Sequence, residues 1–421
     1  MKRKVLFSVI LVIILFLLNG CMMMSSNDYS SFWGTGEKKQ EDQSNKTEQK
    51  DMVTISREEY EKLKRFSDLS NIYDIIDQYY YTDYSDEQVL DYACKGLLAG
   101  LDDPYSFYYT PEEYKKMWED DEGSYAGIGI LISANYKTTL CTISRVFKGS
   151  PAEASGVQRG DILYKVGEDL IVTAENLDEA VKIMRGEPGT SVDITFIRNG
   201  EEITFSINRE IINVNQIESK MLQEKIGYIA LYQFAGQCDK EFETALEELI
   251  GHGAEGIIID LRDNGGGWVE QARYIADLFM DEGELCYLVL KDGTEEHNYY
   301  LTSKGKKDVA IVVLVNEMSA SSSEILTGAL RDCANATIVG TTTFGKGIVQ
   351  DVISVGNRGA GFQLTVAQYF TPNGKAVHEV GIIPDVVIER PEGDTGMYEF
   401  ADTENDIQLK KALDVMSEKI R

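Results

Sequence analysis

Residues 309–350 contain side chains whose types and spacing suit nucleophilic catalysis. An apolar run from Val309 to Val315 reads as a buried strand. It leads into Asn316-Glu317-Met318-Ser319-Ala320-Ser321-Ser322-Ser323-Glu324 and then an amphipathic helical run carrying Ile325, Leu326, Ala329 and Leu330. Serines therefore sit where a strand turns into a helix, beside the backbone N–H groups that a helix start leaves without partners. A second apolar run, Ala336 to Val339, leads to Phe344-Gly345-Lys346-Gly347-Ile348-Val349-Gln350. A serine hydroxyl needs a base to become a nucleophile, and N–H donors to meet the charge that develops on the attacked carbonyl. A helix start and a glycine-flanked lysine could supply both.

The bulk composition removes several other classes. The chain has 421 residues, 43% hydrophobic and 26% charged, an ordinary globular make-up with room for about two or three domains. Its 70 acidic residues outnumber 41 basic ones, a formal charge of −29. A phosphate backbone would be repelled, which argues against nucleic acid as a partner. The three histidines, His252, His297 and His378, lie outside any His-Glu-x-x-His motif, and no serine lies in Gly-x-Ser-x-Gly. Zincin chemistry and the α/β-hydrolase elbow are thereby excluded. The cysteines at 21, 94, 141, 238, 286 and 333 are too dispersed for a metal or redox motif, and the last five read as reduced core residues. No metal or cofactor is implied.

The elements that must position these residues follow in chain order. Met1-Lys2-Arg3-Lys4 with the apolar run Val5 to Leu18 fits a secretory signal. Leu18-Asn19-Gly20-Cys21 resembles a bacterial lipobox, which would make Cys21 a lipidated N-terminus; the alternative within 1–24 is an uncleaved signal anchor. Either places the rest of the chain outside the cytoplasm, attached to the bacterial cell membrane. Residues 25–52 are polar and read as a disordered linker. Residues 53–118 read as a helical N-terminal domain, opened by the capping box Ser56-Arg57-Glu58-Glu59 and carrying further helix starts at Ser85 and Thr110-Pro111. Residues 119–210 read as a β-rich module with a hairpin at Asn199-Gly200. Its loop Gly127-Ile128-Gly129-Ile130, its Ser150-Pro151-Ala152-Glu153 turn and its Arg185-Gly186 turn look like a PDZ domain. Such domains add a C-terminal peptide as a strand and hold its carboxylate with loop N–H groups. Residues 211–395 alternate strand and helix, and 396–421 hold a terminal helix.

The serine and lysine segments resemble those of the C-terminal processing peptidases, PDZ-containing serine proteases of the S41 family. That family carries its serine in Ser-Ala-Ser-x-Ser-Glu and its lysine in Phe-Gly-Lys-Gly-x-Val-Gln. The resemblance implies that Ser321 is the nucleophile and Lys346 the general base. Gln350, one helical turn past the lysine, would orient it. The Asp260-Leu261-Arg262-Asp263-Asn264-Gly265-Gly266-Gly267 run resembles the family's oxyanion loop, so the amides of Gly266 and Ser322 are the expected donors. Leu101-Asp102-Asp103-Pro104-Tyr105-Ser106 resembles the family's Leu-Asp-Pro-His-Ser turn, with an inserted Asp and with Tyr for His; that element is structural and often dimerising, and a homodimer is a possible assembly. In relatives an arginine of the PDZ domain is linked to switching of the protease, and Arg185 is the candidate here. The implied fold is α/β and β multidomain: a helical N-terminal domain, an inserted PDZ domain and a crotonase-like α/β protease core. The implied function is a serine endopeptidase, tethered to the membrane, that cleaves proteins or peptides with free C-termini near that end. The alternative is a catalytically inactive PDZ scaffold.

Overall fold

The computed structural model describes residues 53–121, 124–135, 138–280, 283–297, 299–301, 306–391, 398 and 400–421. The signal segment with Cys21 and the linker 25–52 lie outside the described residues. Among the described residues no helix is long and apolar enough to cross a membrane.

The chain divides after Asp83. The first unit contributes helices α1 (Arg57–Lys64) and α2 (Ser67–Tyr79). The expected capping box opens α1: Ser56 Oγ accepts the Glu59 N–H at 3.1 Å, and the Glu59 carboxylate accepts the Ser56 N–H at 2.8 Å. Neither helix contains a buried residue; Leu63, Leu69, Ile72 and Ile75 are all exposed.

The second unit starts with α3 (Asp86–Ala99), β1 (Phe107–Tyr109) and α4 (Pro111–Asp121). β1 pairs antiparallel with the long strand Ala360–Phe370, placing Phe107 opposite Gln363. The later half of the segment read as helical therefore supplies a strand to the core.

The β-rich module spans the next elements. β2 (Ser124–Gly127) leads into β3 (Ile130–Asn135), β4 (Leu140–Val146), α5 (Pro151–Ser155), β5 (Ile162–Val166) and β6 (Leu170–Ile171). Then come α6 (Leu177–Met184), β7 (Ser191–Arg198), β8 (Glu201–Asn208) and β9 (Glu210–Asn213). β2 and β9 pair antiparallel and close the base of the insert. The remaining strands form one sheet in the order β3-β4-β5-β7-β8, with β6 on β5, so β3 lies at an edge. Asn199 and Gly200 both have positive φ, as the type I′ turn between β7 and β8 requires. Ile143, Leu163, Ile194, Phe196 and Ile207 fill the interior of the module.

The core runs β10 (Ile217–Gln223), β11 (Ile226–Leu231), α7 (Cys238–Gly251), β12 (Gly256–Asp260) and α8 (Val269–Asp277). Short strands β13 (Gly283–Glu284), β14 (Tyr287–Leu290), β15 (Glu295–Glu296) and β16 (Tyr300–Leu301) follow. It ends with β17 (Ala310–Val315), α9 (Ser322–Ala334), β18 (Thr337–Gly340), β19 (Ile348–Val355), β20 (Ala360–Phe370), β21 (Val386–Val387) and α10 (Ile407–Lys419). The main sheet has the order β10-β11-β12-β17-β18-β21 and is parallel from β11 onward. Its central strands β11, β12 and β17 are largely apolar because both faces are covered, whereas edge strand β10 carries Glu218, Ser219 and Lys220. Ile257 and Ile259 of β12 pack with Phe242 of α7, Ile275 of α8 and Leu326 of α9, whereas Ile258 packs with Leu409 and Met416 of α10. In the second sheet β20 pairs with β19, β1 and β14.

A buried ion network fixes α10 to the end of β12. Arg262 Nη2 lies 2.6 Å from Asp260 Oδ2 and 2.7 Å from Asp406 Oδ2. Asp406 Oδ1 also accepts the N–H groups of Gln408 and Leu409, capping α10. Of the five cysteines among the described residues, Cys141, Cys238 and Cys286 are buried, whereas Cys94 is half-buried and Cys333 exposed, so these two are not the core residues expected.

Candidate active site

The serine block is a turn between β17 and α9, and its members divide their work. Ser319 Oγ donates to the Leu261 carbonyl at 2.7 Å, Ser322 Oγ to Gly267 at 2.7 Å and Ser323 Oγ to Asn264 at 2.9 Å. These three hydroxyls stitch the serine turn to the loop that follows β12. Ser321 is different: it lines an open cleft of about 1200 Å³. Its backbone has φ 57° and ψ −117°, a region that L-residues rarely occupy. Its carbonyl accepts a hydrogen bond from the hydroxyl of fully buried Tyr369 at 3.3 Å.

Glu324, fully buried one turn into α9, joins this strained turn to the lysine loop. Its carboxylate accepts the N–H of Ser321 at 2.9 Å, of Gly345 at 2.7 Å and of Lys346 at 2.9 Å, and the Thr343 hydroxyl at 2.5 Å. Burial pushes its pKa up, and the four donors pull it back. The glycine after the lysine has a steric cause. A Cβ on Gly347 would lie 2.1 Å from the His378 nitrogen, so the chain can pass there only without a side chain.

Lys346 is half-buried and lines the same cleft. Burial lowers its pKa, against the opposing charges of Asp103 and Glu324. Its ammonium lies 4.8 Å from the centre of the Tyr105 ring. Gln350 also lines the cleft, but not from a helix: it belongs to β19, and Lys346 lies in the loop just before that strand, so the two are not one helical turn apart. Its side-chain amide donates to Thr365 Oγ1 at 3.4 Å on the neighbouring β20.

The glycine loop lies against the serine turn. A Cβ on Gly266, where φ is +100°, would fall 2.8 Å from Ser321 Cβ and 3.0 Å from the Ser322 nitrogen. Only glycine permits this approach. The Gly266 N–H, however, does not face the cleft as expected; it donates to Asn264 Oδ1 at 2.9 Å within the loop. Gly265 and Gly267, on either side, line the cleft. Beside them Trp268 stacks on Trp118 of α4, with centroids 5.8 Å apart.

In the β-rich module, Gly127 ends β2 and Ile130 begins edge strand β3, with buried Ile128 between them. Gly129 has φ +88° and lies against Ser150, whose hydroxyl donates to the Gly129 carbonyl at 3.2 Å. Arg185 caps α6 and sits over the Tyr125 ring at 4.9 Å. A second arginine, not singled out from the sequence, links this module to the core. Arg145 of β4 donates to the Asn215 carbonyl at 2.6 Å and to Glu218 at 3.2 Å, and lies 3.6 Å from the centre of the Tyr232 ring. An arginine in a short strand carries no sequence signal of such a contact. Tyr105 and Asp103 were likewise read as structural only, yet both face Lys346.

Residues 225–388 match Peptidase family S41, residues 142–198 match the PDZ domain family, and residues 23–113 match the Activating protease CtpB N-terminal domain. The chain is 36% identical to a Carboxyl-terminal-processing protease of Synechocystis sp., covering 77% of this chain and 76% of that protein. It is also 36% identical to the Carboxy-terminal processing protease CtpA of Bacillus subtilis, covering 78% and 70% respectively. Among solved structures it resembles a photosystem II D1 C-terminal processing protease at TM-score 0.52 and 25% identity, over 80% of this chain and 94% of that one.

The clamp at Glu324 can be tested without a substrate. Glutamine keeps its shape but turns an NH₂ group toward N–H donors, leaving at least one buried donor unmet at a cost of about 1–3 kcal/mol. Glu324→Gln should therefore lower the thermal midpoint and speed amide hydrogen exchange at Gly345 and Lys346 ahead of the rest of the core. Unchanged exchange at these two amides would show that the carboxylate does not hold the loop.

Proposed function

The chain belongs to peptidase family S41, the carboxyl-terminal-processing serine peptidases with a PDZ domain, and from that premise we propose that Ser321 and Lys346 are its catalytic pair. The observation that carries this reading is that both line one cleft while a single buried carboxylate, Glu324, accepts the backbone N–H of each. Neutral Lys346 takes the Ser321 hydroxyl proton as Oγ bonds to the substrate carbonyl carbon. The resulting oxyanion accepts the Ser322 N–H and that of Gly267, because Gly266 already donates to Asn264. Collapse breaks the peptide bond, with the lysine ammonium returning its proton to the leaving amine. Water then attacks the ester carbonyl and gives a proton to Lys346; the bond from carbon to Ser321 Oγ breaks, the lysine ammonium returns that proton to Oγ, and the new C-terminus leaves. Gln350 orients the lysine once that side chain turns toward Ser321. A lowered lysine pKa makes the neutral base available at lower pH, so activity rises with pH until the amine is fully deprotonated.

The PDZ domain is the module that reads the substrate terminus. Edge strand β3 can take a peptide as an added strand, and the loop Gly127 to Ile130 offers backbone N–H groups to the terminal carboxylate. A protein of charge −29 gains from such uncharged donors, since an acidic terminus is otherwise repelled. Arg185, at the end of α6, is the candidate for relaying occupancy to the protease. A catalytically inactive scaffold has no use for the cleft arrangement of Ser321 and Lys346. Membrane tethering through Cys21 or a signal anchor completes the reading and rests on the sequence of residues 1–24.

Three experiments test these proposals. Ser321→Ala and Lys346→Ala should each cut hydrolysis of unfolded casein by about a thousandfold or more, and Lys346→Arg should be equally inactive because a guanidinium stays protonated; activity surviving in Ser321→Ala but not in Ser323→Ala would overturn the assignment. Peptides ending in an amide should be cleaved about tenfold more slowly than the same peptides ending in a carboxylate, a difference of about 1.4 kcal/mol, and equal rates would rule out carboxylate reading. A palmitate analogue should label wild-type cells but not Cys21→Ala cells, whereas unlabelled membrane protein retaining Met1 would favour the anchor.

A further inference from the structure

We propose that Tyr105 is a positioning residue that seats the Lys346 ammonium on its ring in the resting enzyme, so that the base must leave an aromatic face before it can serve Ser321. The proposal rests on the reading of Lys346 as the base. Two facts of geometry carry it. The Lys346 nitrogen lies 4.8 Å from the Tyr105 ring centre, within cation–π range. Among the described residues no hydrogen bond joins that nitrogen to Ser321 Oγ, although Glu324 fixes the backbones of both.

The ring cannot easily follow the lysine, because its turn is fastened on two sides. Tyr105 N–H donates to Asp103 Oδ1 at 2.9 Å, and Gln363 Nε2 donates to the Tyr105 carbonyl at 3.1 Å. Ser106 Oγ donates to Asp103 Oδ2 at 2.5 Å and accepts the Thr365 N–H at 2.9 Å. Thr365 is also the residue that holds Gln350 at 3.4 Å. The turn is thus anchored to β20, and the lysine backbone to Glu324. Between the two anchors the four-carbon arm of Lys346 is the more flexible side chain, against the two torsions of Tyr105.

An aromatic face attracts an ammonium and not a neutral amine, so the seat favours the protonated, idle form. The charged groups facing Lys346 act in the same direction: Asp103 from the turn before β1, and Glu324 from α9. Burial alone opposes them. The other ionisable walls of the cleft are Lys95, Glu113 and Lys116 from α3 and α4, Tyr108 and Tyr109 from β1, Glu270 from α8, Tyr299 and, from β19, Asp351. Removing the ring while keeping its bulk should therefore ease deprotonation.

The test compares full-chain wild type, Tyr105→Phe, Tyr105→Leu and Lys346→Ala in kcat/KM against pH, using a peptide with a free C-terminal carboxylate. Tyr105→Phe keeps the π face and should keep the wild-type acid limb. Tyr105→Leu should move that limb down by about half a pH unit or more, raising activity on the limb by about threefold. Tyr105→Met is the second variant if the leucine protein does not fold. A limb that stays in place, or a loss of kcat that is the same at every pH, would overturn the proposal and leave Tyr105 a packing neighbour of Lys346 only. Full activity in Lys346→Ala would instead overturn the assignment of the base.

Discussion

Four donors converge on one buried carboxylate, Glu324, and the active site exists in this form because of it. An isolated charge in that position would be costly; an acceptor-only group surrounded by donors is tolerated and becomes a clamp. The donors come from two segments, the serine turn and the loop carrying Thr343, Gly345 and Lys346, which the Phe344 N–H also joins by donating to the Ser319 carbonyl at 3.0 Å. The Thr343 hydroxyl extends the clamp further, since it accepts the Ile382 N–H at 2.7 Å and so ties in the closing segment before β21. Backbone groups make three of the four donations. Side-chain identity at 345 and 346 thus matters for space and chemistry, and the clamp itself reads only the main chain.

A second buried charge performs a similar task at the opposite face of the main sheet. Arg262 binds Asp260 at the end of β12 and Asp406 at the start of α10. Tyr228 donates its hydroxyl to the same Asp260 at 2.7 Å. The glycine loop begins immediately after this arginine. Its position is therefore set from one side by the terminal helix and from the other by the three stitching serines. The loop needs this support because its glycines contribute no side-chain packing of their own.

Much of this was legible in the sequence, for reasons particular to each segment. The capping box at Ser56, the turn at Asn199-Gly200 and the apolar runs of β12 and β17 are local signals, and each formed as local chemistry requires. The pairing of a serine block with a glycine-flanked lysine was legible as chemistry. What escaped was tertiary. A spacing of four between Lys346 and Gln350 fits a helical turn, and only the pairing of β19 with β20 shows that Gln350 stands on a strand with Lys346 in the loop before it. Gly266 was read as an oxyanion donor from the resemblance alone, and nothing in a run of three glycines encodes that the Asn264 side chain takes the Gly266 N–H. The segment 84–118 read as helical on local grounds, and nothing in its composition announces that β1 joins β20. Arg145 and Tyr105 act across distances along the chain that no periodicity encodes.

The backbone at Ser321 carries a final consequence. At φ 57° and ψ −117° the residue sits where glycine is comfortable and serine is not. The strain is held by the Glu324 carboxylate on one side of the residue and by Tyr369 on its carbonyl. Glycine in this position would relax the turn and remove the hydroxyl proposed as the nucleophile in one step, so that on this proposal the sturdier protein is the inactive one. Stability and activity are therefore opposed at a single residue, and mutational drift governed by robustness alone would lead away from the protease.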